Sequence, residues 1–104
     1  MKIEQSMKKN GYLVPPIMDT EQGKCFICGY QGQTVVHEVF YGTANRKQSK
    51  EWGTWVNICP RCHRFLHANP SDEVSRELER TAYKLFCSIY GRDKFREVFG
   101  RYYD

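Results

Sequence analysis

Two Cys-x-x-Cys pairs, Cys25-Phe-Ile-Cys28 and Cys59-Pro-Arg-Cys62, constrain this chain more than any other feature. A tetrahedral zinc site takes four thiolates, and two such knuckles supply them from segments that the fold must then bring together. His63 follows the second pair directly and His67 comes four residues later. On a helix, residues four apart share a face, so these two imidazoles can aim at one second metal ion or one substrate group. The plainer alternatives are two surface residues, or one histidine replacing a cysteine as ligand.

At 104 residues the chain is expected to form one domain whose core alone would be marginal, so a metal staple makes thermodynamic sense. Five cysteines arranged as knuckles, with no apolar signal segment at the N-terminus, point to a reducing cytoplasm rather than a disulfide framework. Cys87, the odd one, sits beside Leu85, Phe86 and Ile89 and reads as a small core residue. No stretch approaches the roughly twenty apolar residues that span a bilayer, so no membrane role is expected.

The formal charge of +4 is unevenly spread. Residues 1–45 hold four basic and four acidic side chains, and residues 71–104 hold seven of each. The excess therefore lies between 46 and 70, where Arg46, Lys47, Lys50, Arg61 and Arg64 face Glu51 alone. A local positive stretch beside a metal centre suits a polyanion held at its phosphates. Trp52 and Trp55 are interleaved with it and either pack over the zinc knuckles or stack on bases and sugars.

Residues 1–20 show no helical period and carry Pro15-Pro16, which predicts a flexible or extended arm ahead of a single domain over 21–104. Thr34-Val-Val-His-Glu-Val-Phe40 is β-branched and aromatic and predicts a strand. The polar run Gly42 to Lys50 reads as a connecting loop, and Trp52 to Ile58 as a second strand that delivers Cys59. After Pro60 a helix should carry Cys62, His63 and His67, with Asn69-Pro70 ending it and then capping and opening the next. Val74, Leu78, Ala82, Leu85 and Ile89 recur with helical spacing up to Gly91, and a short helix from about Asp93 to Phe99 should bury Phe95, Val98 and Phe99. The expected class is α+β: a small zinc-stabilised ββα core followed by C-terminal helices.

Two strands and a helix, with a histidine on the first strand and Cys-x-x-Cys-His at the helix, is the layout of the ββα-metal nucleases. The segments His37-Glu-Val-Phe-Tyr-Gly-Thr-Ala-Asn45-Arg-Lys-Gln-Ser, Gly53 to Ile58, Cys59-Pro-Arg-Cys-His-Arg-Phe-Leu-His67 and the closing Phe-Gly-Arg-Tyr-Tyr together resemble the small phage-encoded HNH endonuclease family over residues 25–103. The resemblance implies a structural zinc on Cys25, Cys28, Cys59 and Cys62. It also implies a second divalent ion, Mg²⁺, Mn²⁺, Ni²⁺ or Zn²⁺, that stabilises charge on the phosphorane and the leaving 3′ oxygen. His63 falls where HNH enzymes place a metal ligand, and His67 where the colicin-type nucleases place a further one. In one register His37 is the general base on water; in the other it is a ligand and Glu38 holds the base position. The family's middle asparagine falls on Thr54, while Asn45 lies in the expected loop, either bracing the backbone around His37 or serving as a turn residue.

The resulting expectation is a metal-dependent DNA endonuclease, with Arg46, Lys47, Lys50, Arg61 and Arg64 on the nucleic acid. If the chain is phage-encoded it would act in the host cytoplasm. A lone site would nick and a symmetric pair would cut both strands, and the sequence does not choose between them. The competing reading is a non-catalytic zinc module that binds nucleic acid or protein; it shares the zinc site and the basic stretch but needs no second ion.

Overall fold

The computed structural model of the protein describes residues 14–40 and 42–103. The first predicted strand forms as β1 (Val35–Glu38) and the second as β2 (Trp55–Ile58). They pair antiparallel, with Val35 opposite Ile58, Val36 opposite Asn57, His37 opposite Val56 and Glu38 opposite Trp55. A two-stranded pair this short is marginal in water, so it depends on the helices packed around it.

The stretch between the strands corrects the sequence reading. Gly42 to Lys50 is not a loop, for it enters α1 (Thr43–Trp52) at once. Ala44, Arg46, Lys47, Gln48, Lys50 and Glu51 are all good helix formers. This helix needs no long apolar stripe, because fully buried Ser49 and half-buried Trp52 are enough to seat it. Trp52 thus ends a helix instead of opening β2. Gly53 caps it in the left-handed region at φ 78°, with its N–H on the Ser49 carbonyl.

β2 leads through Cys59 into α2 (Pro60–Ala68), as Pro60 predicted. Asn69 does not cap the following helix. It closes α2, its N–H reaching the Phe65 and Leu66 carbonyls and its side-chain amide donating to Phe65 O at 2.9 Å. Asp72 is the cap of α3 (Glu73–Tyr90), accepting from the Val74 N–H at 2.9 Å, and Pro70 lies in the turn between them. Aspartate is as good a cap as asparagine, and here it stands next to Glu73 in a first turn that favours negative charge. Gly91 and Gly100 bound α4 (Arg92–Phe99).

The core joining these elements is aromatic. Phe40, just past β1, meets Phe95 at 5.1 Å, Phe99 at 4.7 Å and Tyr103 at 4.8 Å between ring centroids. Tyr83 and Phe86 of α3 pack edge-on against Phe95 at 4.7 and 5.3 Å. These contacts set the phase of α3. The buried set is Ser75, Leu78, Ala82, Tyr83 and Phe86, so Val74 and Ile89, expected in the core, are exposed. No helix among the described residues is long and apolar enough to cross a membrane.

Of the expected arm, residues 1–13 lie outside the described residues. Residues 14–20 have no regular structure but are bonded to the body: Val14 N–H to Lys50 O, Ile17 N–H to Gly53 O, the Trp55 indole N–H to Val14 O, and Asn57 N–H to Thr20 Oγ1. Gly53 sits at the centre of this docking, where a Cβ would lie 2.5 Å from the Pro15 carbonyl oxygen. Gly53→Ala combines that clash with a positive φ and is expected to cost about 2 kcal/mol or more. Thermal unfolding should show a fall of roughly 10 °C, and an unchanged midpoint would mean that this contact is not part of the folded protein.

Candidate metal centre

The first knuckle is a tight turn held by Gly29 N–H on Cys25 O and Cys25 N–H on Tyr30 O, with Gly29 at φ 79°. Phe26 N–H donates to Asn57 O at 2.9 Å and fastens the turn to β2. The second knuckle is the start of α2, where Cys59 is the cap residue and its sulfur accepts the Cys62 N–H at 3.4 Å. The first knuckle repeats this, with Cys28 N–H on Cys25 Sγ at 3.5 Å.

The four sulfurs lie within 4.8 Å of one another, and Cys28 Sγ is 3.9 Å from Cys59 Sγ. Four thiolates at about 2.3 Å from a tetrahedral zinc stand about 3.8 Å apart, so the spacing fits the ion. The electrostatics fit too. Burial alone would raise the Cys25 thiol, but backbone N–H groups at Cys28, Cys59 and Ile27 outweigh it and bring the pKa down to about 6. Burial and hydrogen bonds to the other sulfurs push Cys62 upward, and the charge on Cys25 adds to this. The Cys25 thiolate forms readily, whereas Cys62 resists until a cation shares the site. The tetra-cysteine cluster is thus compatible with a structural zinc ion, and Cys87 lies outside it, half-buried against the core.

A second cluster joins β1 to α2. His37 points from β1 with 1% of its surface exposed, and His63 and His67 come from successive turns of the helix. One ring nitrogen from each falls within 4.8 Å of the others, and the Nε2 atoms of His63 and His67 are 3.0 Å apart. The rings meet at 79–87° with centroids 4.4 to 5.5 Å apart. Burial, then the positive forms of His63 and His67, then Arg46, lower the His37 pKa to about 4. Burial and His67 lower that of His63. His37 and His63 are therefore neutral at pH 7 and present lone pairs, the form a metal ligand needs.

Glu38, next along β1, is half-buried and faces the opposite side of the strand, outside this cluster. Asn45 is not in a loop; it stands in the first half of α1, half-buried. The brace that the sequence sought in an asparagine is made by two other residues. Fully buried Ser49 accepts from Phe40 N–H through its hydroxyl at 3.4 Å and from Thr54 N–H through its carbonyl at 3.0 Å. Thr54 in turn accepts from Val39 N–H at 3.0 Å. A serine inside a charged run gives no sequence signal of burial, which is why it was missed.

The basic residues divide between two helices. Arg46 and Lys47 are exposed on α1 with Lys50 half-buried beside them, and Arg61 and Arg64 are exposed on α2. At about 100° per residue, Arg46, Lys50 and Lys47 span an arc of about 100° whose centre lies about 110° from buried Ser49, and Arg64 adjoins the His63–His67 face. Trp52 packs against Phe86 and Tyr90 of α3 at 5.5 and 5.0 Å, and Trp55 is only 7% exposed, which removes it as a stacking platform.

Comparison with protein-family models, with curated proteins and with solved structures finds no match.

Two outcomes follow from these clusters. Elemental analysis should find zinc bound to the sulfur cluster, and Cys59→Ser, which keeps a capping oxygen for α2 but removes one thiolate, should release the ion and cost several kcal/mol; retained zinc and an unchanged melting point would exclude the site. For His37, the folded pKa of about 4 lies below its ordinary 6.5, so the unfolded chain binds the extra proton between those values. Stability contributed by neutral His37 is present above pH 6.5 and lost as pH falls toward 4, by up to about 3 kcal/mol, with His63 adding the same sign. Urea midpoints from pH 6.5 to 5 should fall more steeply for the native chain than for His37→Asn.

Proposed function

We propose that the protein is a metal-dependent endonuclease of the ββα-metal (HNH) kind that hydrolyses phosphodiester bonds in DNA. The observation that carries this reading is the convergence of His37, His63 and His67 within 4.8 Å, between a two-stranded sheet and the helix that the cysteines fasten to it. Three imidazoles on rigid elements, beside a basic stripe, are more than a structural zinc requires.

In this reading His63 and His67 hold a divalent ion through ring nitrogens, and His37 is the third nitrogen. Its burial and depressed pKa make it a weak proton acceptor but leave a lone pair for a cation. When bound, the ion supplies Lewis acidity against the charge that develops on the phosphate and the leaving oxygen. Glu38, the base of the second register, faces the other side of β1 and is not aimed at this ion. Arg46 and Arg64 seat the strand's phosphates on either side of the histidines, and Lys47, Lys50 and Arg61 extend that contact, so affinity should fall steeply with salt.

Supercoiled plasmid with Mg²⁺, Mn²⁺, Ni²⁺ or Zn²⁺ tests this directly. The native chain should relax the plasmid with at least one ion, and His63→Ala should lower the rate by a hundredfold or more while the sulfur-bound zinc is retained. Glu38→Gln should change the rate by less than about tenfold, because its carboxylate faces away from the three rings, and a loss of about 10²-fold would mean that it takes the water's proton. One ion per chain and no cutting with any metal would overturn the proposal and leave a zinc-stapled module that binds without reaction.

A further inference from the structure

The four sulfurs of the zinc-compatible cluster differ in their access to solvent. Cys25 and Cys59 are 2% and 5% exposed and Cys62 is half-buried, whereas Cys28 is exposed. Gly29 follows Cys28 with open space where a side chain would stand, so the turn is bare beside it. In a zinc-loaded cluster all four sulfurs are thiolates, the nucleophilic form, and no group has to titrate before it reacts. The cluster therefore presents one thiolate to reagents in water and holds another close behind it: Cys59 Sγ stands 3.9 Å from Cys28 Sγ, 31 positions away in sequence. Cys87, the fifth thiol, lies outside the cluster and packs against the core.

We propose that Cys28 is a site of reversible oxidation by hydrogen peroxide, and that Cys59 resolves it as a disulfide that displaces the zinc ion. The Cys28 thiolate attacks one peroxide oxygen; the S–O bond forms, the O–O bond breaks, and hydroxide leaves. The Cys59 thiolate then attacks the sulfenic sulfur, forming the S–S bond and expelling a second hydroxide. The two sulfurs lose two electrons, the peroxide gains them, and two protons from the buffer turn both hydroxides into water. A disulfide holds its sulfurs about 2.05 Å apart, so this pair must close by less than about 2 Å. Cys25 and Cys62 alone are too few ligands for a tetrahedral ion, and zinc leaves.

Hydrogen bonds select Cys59 over Cys25 as the resolving sulfur. Within the first knuckle the Cys28 N–H is donated to Cys25 Sγ at 3.5 Å, which engages that sulfur from the Cys28 side. The Cys59 sulfur takes its N–H from Cys62, in its own helix, and meets Cys28 by direct sulfur–sulfur contact. The outcome also suits the fold. A bond within either knuckle would leave the first knuckle and α2 unlinked once zinc had gone, but a Cys28–Cys59 bond ties the same two segments that the ion ties. It closes a long loop, the case in which a cross-link constrains the unfolded chain most. The oxidised chain therefore keeps its fold and can be reduced and reloaded. The proposal goes beyond the nuclease reading and does not depend on it; it rests on the sulfur cluster holding zinc.

The zinc-loaded full chain, treated with one equivalent of hydrogen peroxide, tests it, with a chromophoric chelator to read released zinc and peptide mapping to read the cysteines. One ion per chain should be released, the peptides holding Cys28 and Cys59 should be joined, and helicity should be kept. A thiol reductant with added zinc should restore the starting metal content. Dimedone added with the peroxide should label Cys28. Cys28→His, which keeps a zinc-binding donor set, should release its ion at least about tenfold more slowly. A bond within either knuckle, dimedone on another cysteine, zinc retained in excess peroxide, or a zinc-loaded Cys28→His that releases its ion at the native rate overturns the proposal. Should that variant fail to load zinc, the peptide map of the native chain decides alone.

Discussion

The backbone amides of Cys28 and Cys62 each aim at a sulfur, and the arrangement of the whole molecule depends on what those contacts hold together. Cys59 ends the run from β2 and caps α2, so the residue that offers a thiolate also fixes the angle at which the helix leaves the sheet. Cys25 belongs to a turn bonded to Asn57 in the middle of β2. Four residues in each strand could not hold a helix in register by sheet hydrogen bonds alone. The sulfur cluster does so from one side and the aromatic core of Phe40, Phe86 and Phe95 from the other. With α2 held at its start by the cysteines and by Leu66 in the core, His63 and His67 come to lie beside His37.

That dependence explains which features were legible in the sequence. The knuckles, Pro60 at the start of α2, and Gly91 and Gly100 at helix ends act through the chemistry of one or two residues, and each stands where the spacing put it. The pairing of His63 with His67 was equally local. α1 shows no helical signal because its burial rests on Ser49 and half of Trp52, too little to produce an apolar period in a polar run. The phase of α3 was misread for the opposite reason: several apolar stripes fit the same residues, and the choice was made by Tyr83 and Phe86 stacking into a core assembled from α4 and the end of β1. Tertiary packing of that kind leaves no mark on local spacing.

The position of His37 lies between these cases. Its strand was evident, but which face it presents depends on the register against β2, and the partner positions His37–Val56 and Glu38–Trp55 decide that it is the histidine and not the carboxylate that turns inward. A shift of one residue would exchange them. The Ser49 and Thr54 backbone contacts next to the strand exit keep the register from slipping, because a shift would strand the buried Ser49 hydroxyl and the Val39 amide without their partners.

The same geometry defines what the histidine cluster accepts. Burial and mutual repulsion hold protons off His37 and His63, and Arg46 adds its charge to the opposition at His37. A single proton gains one lone pair and meets all of that repulsion. A divalent ion among the three rings gains three lone pairs at once, and two of its ligands, His63 and His67, already stand 3.0 Å apart, so little rearrangement is needed. Under the proposed reading the site is therefore arranged against protons and in favour of a cation with several open coordination positions. The nearby arginine, unfavourable for a cation taken alone, becomes favourable once a phosphate bridges the two. Binding of metal and of polyanion would then be coupled, each lowering the electrostatic cost of the other.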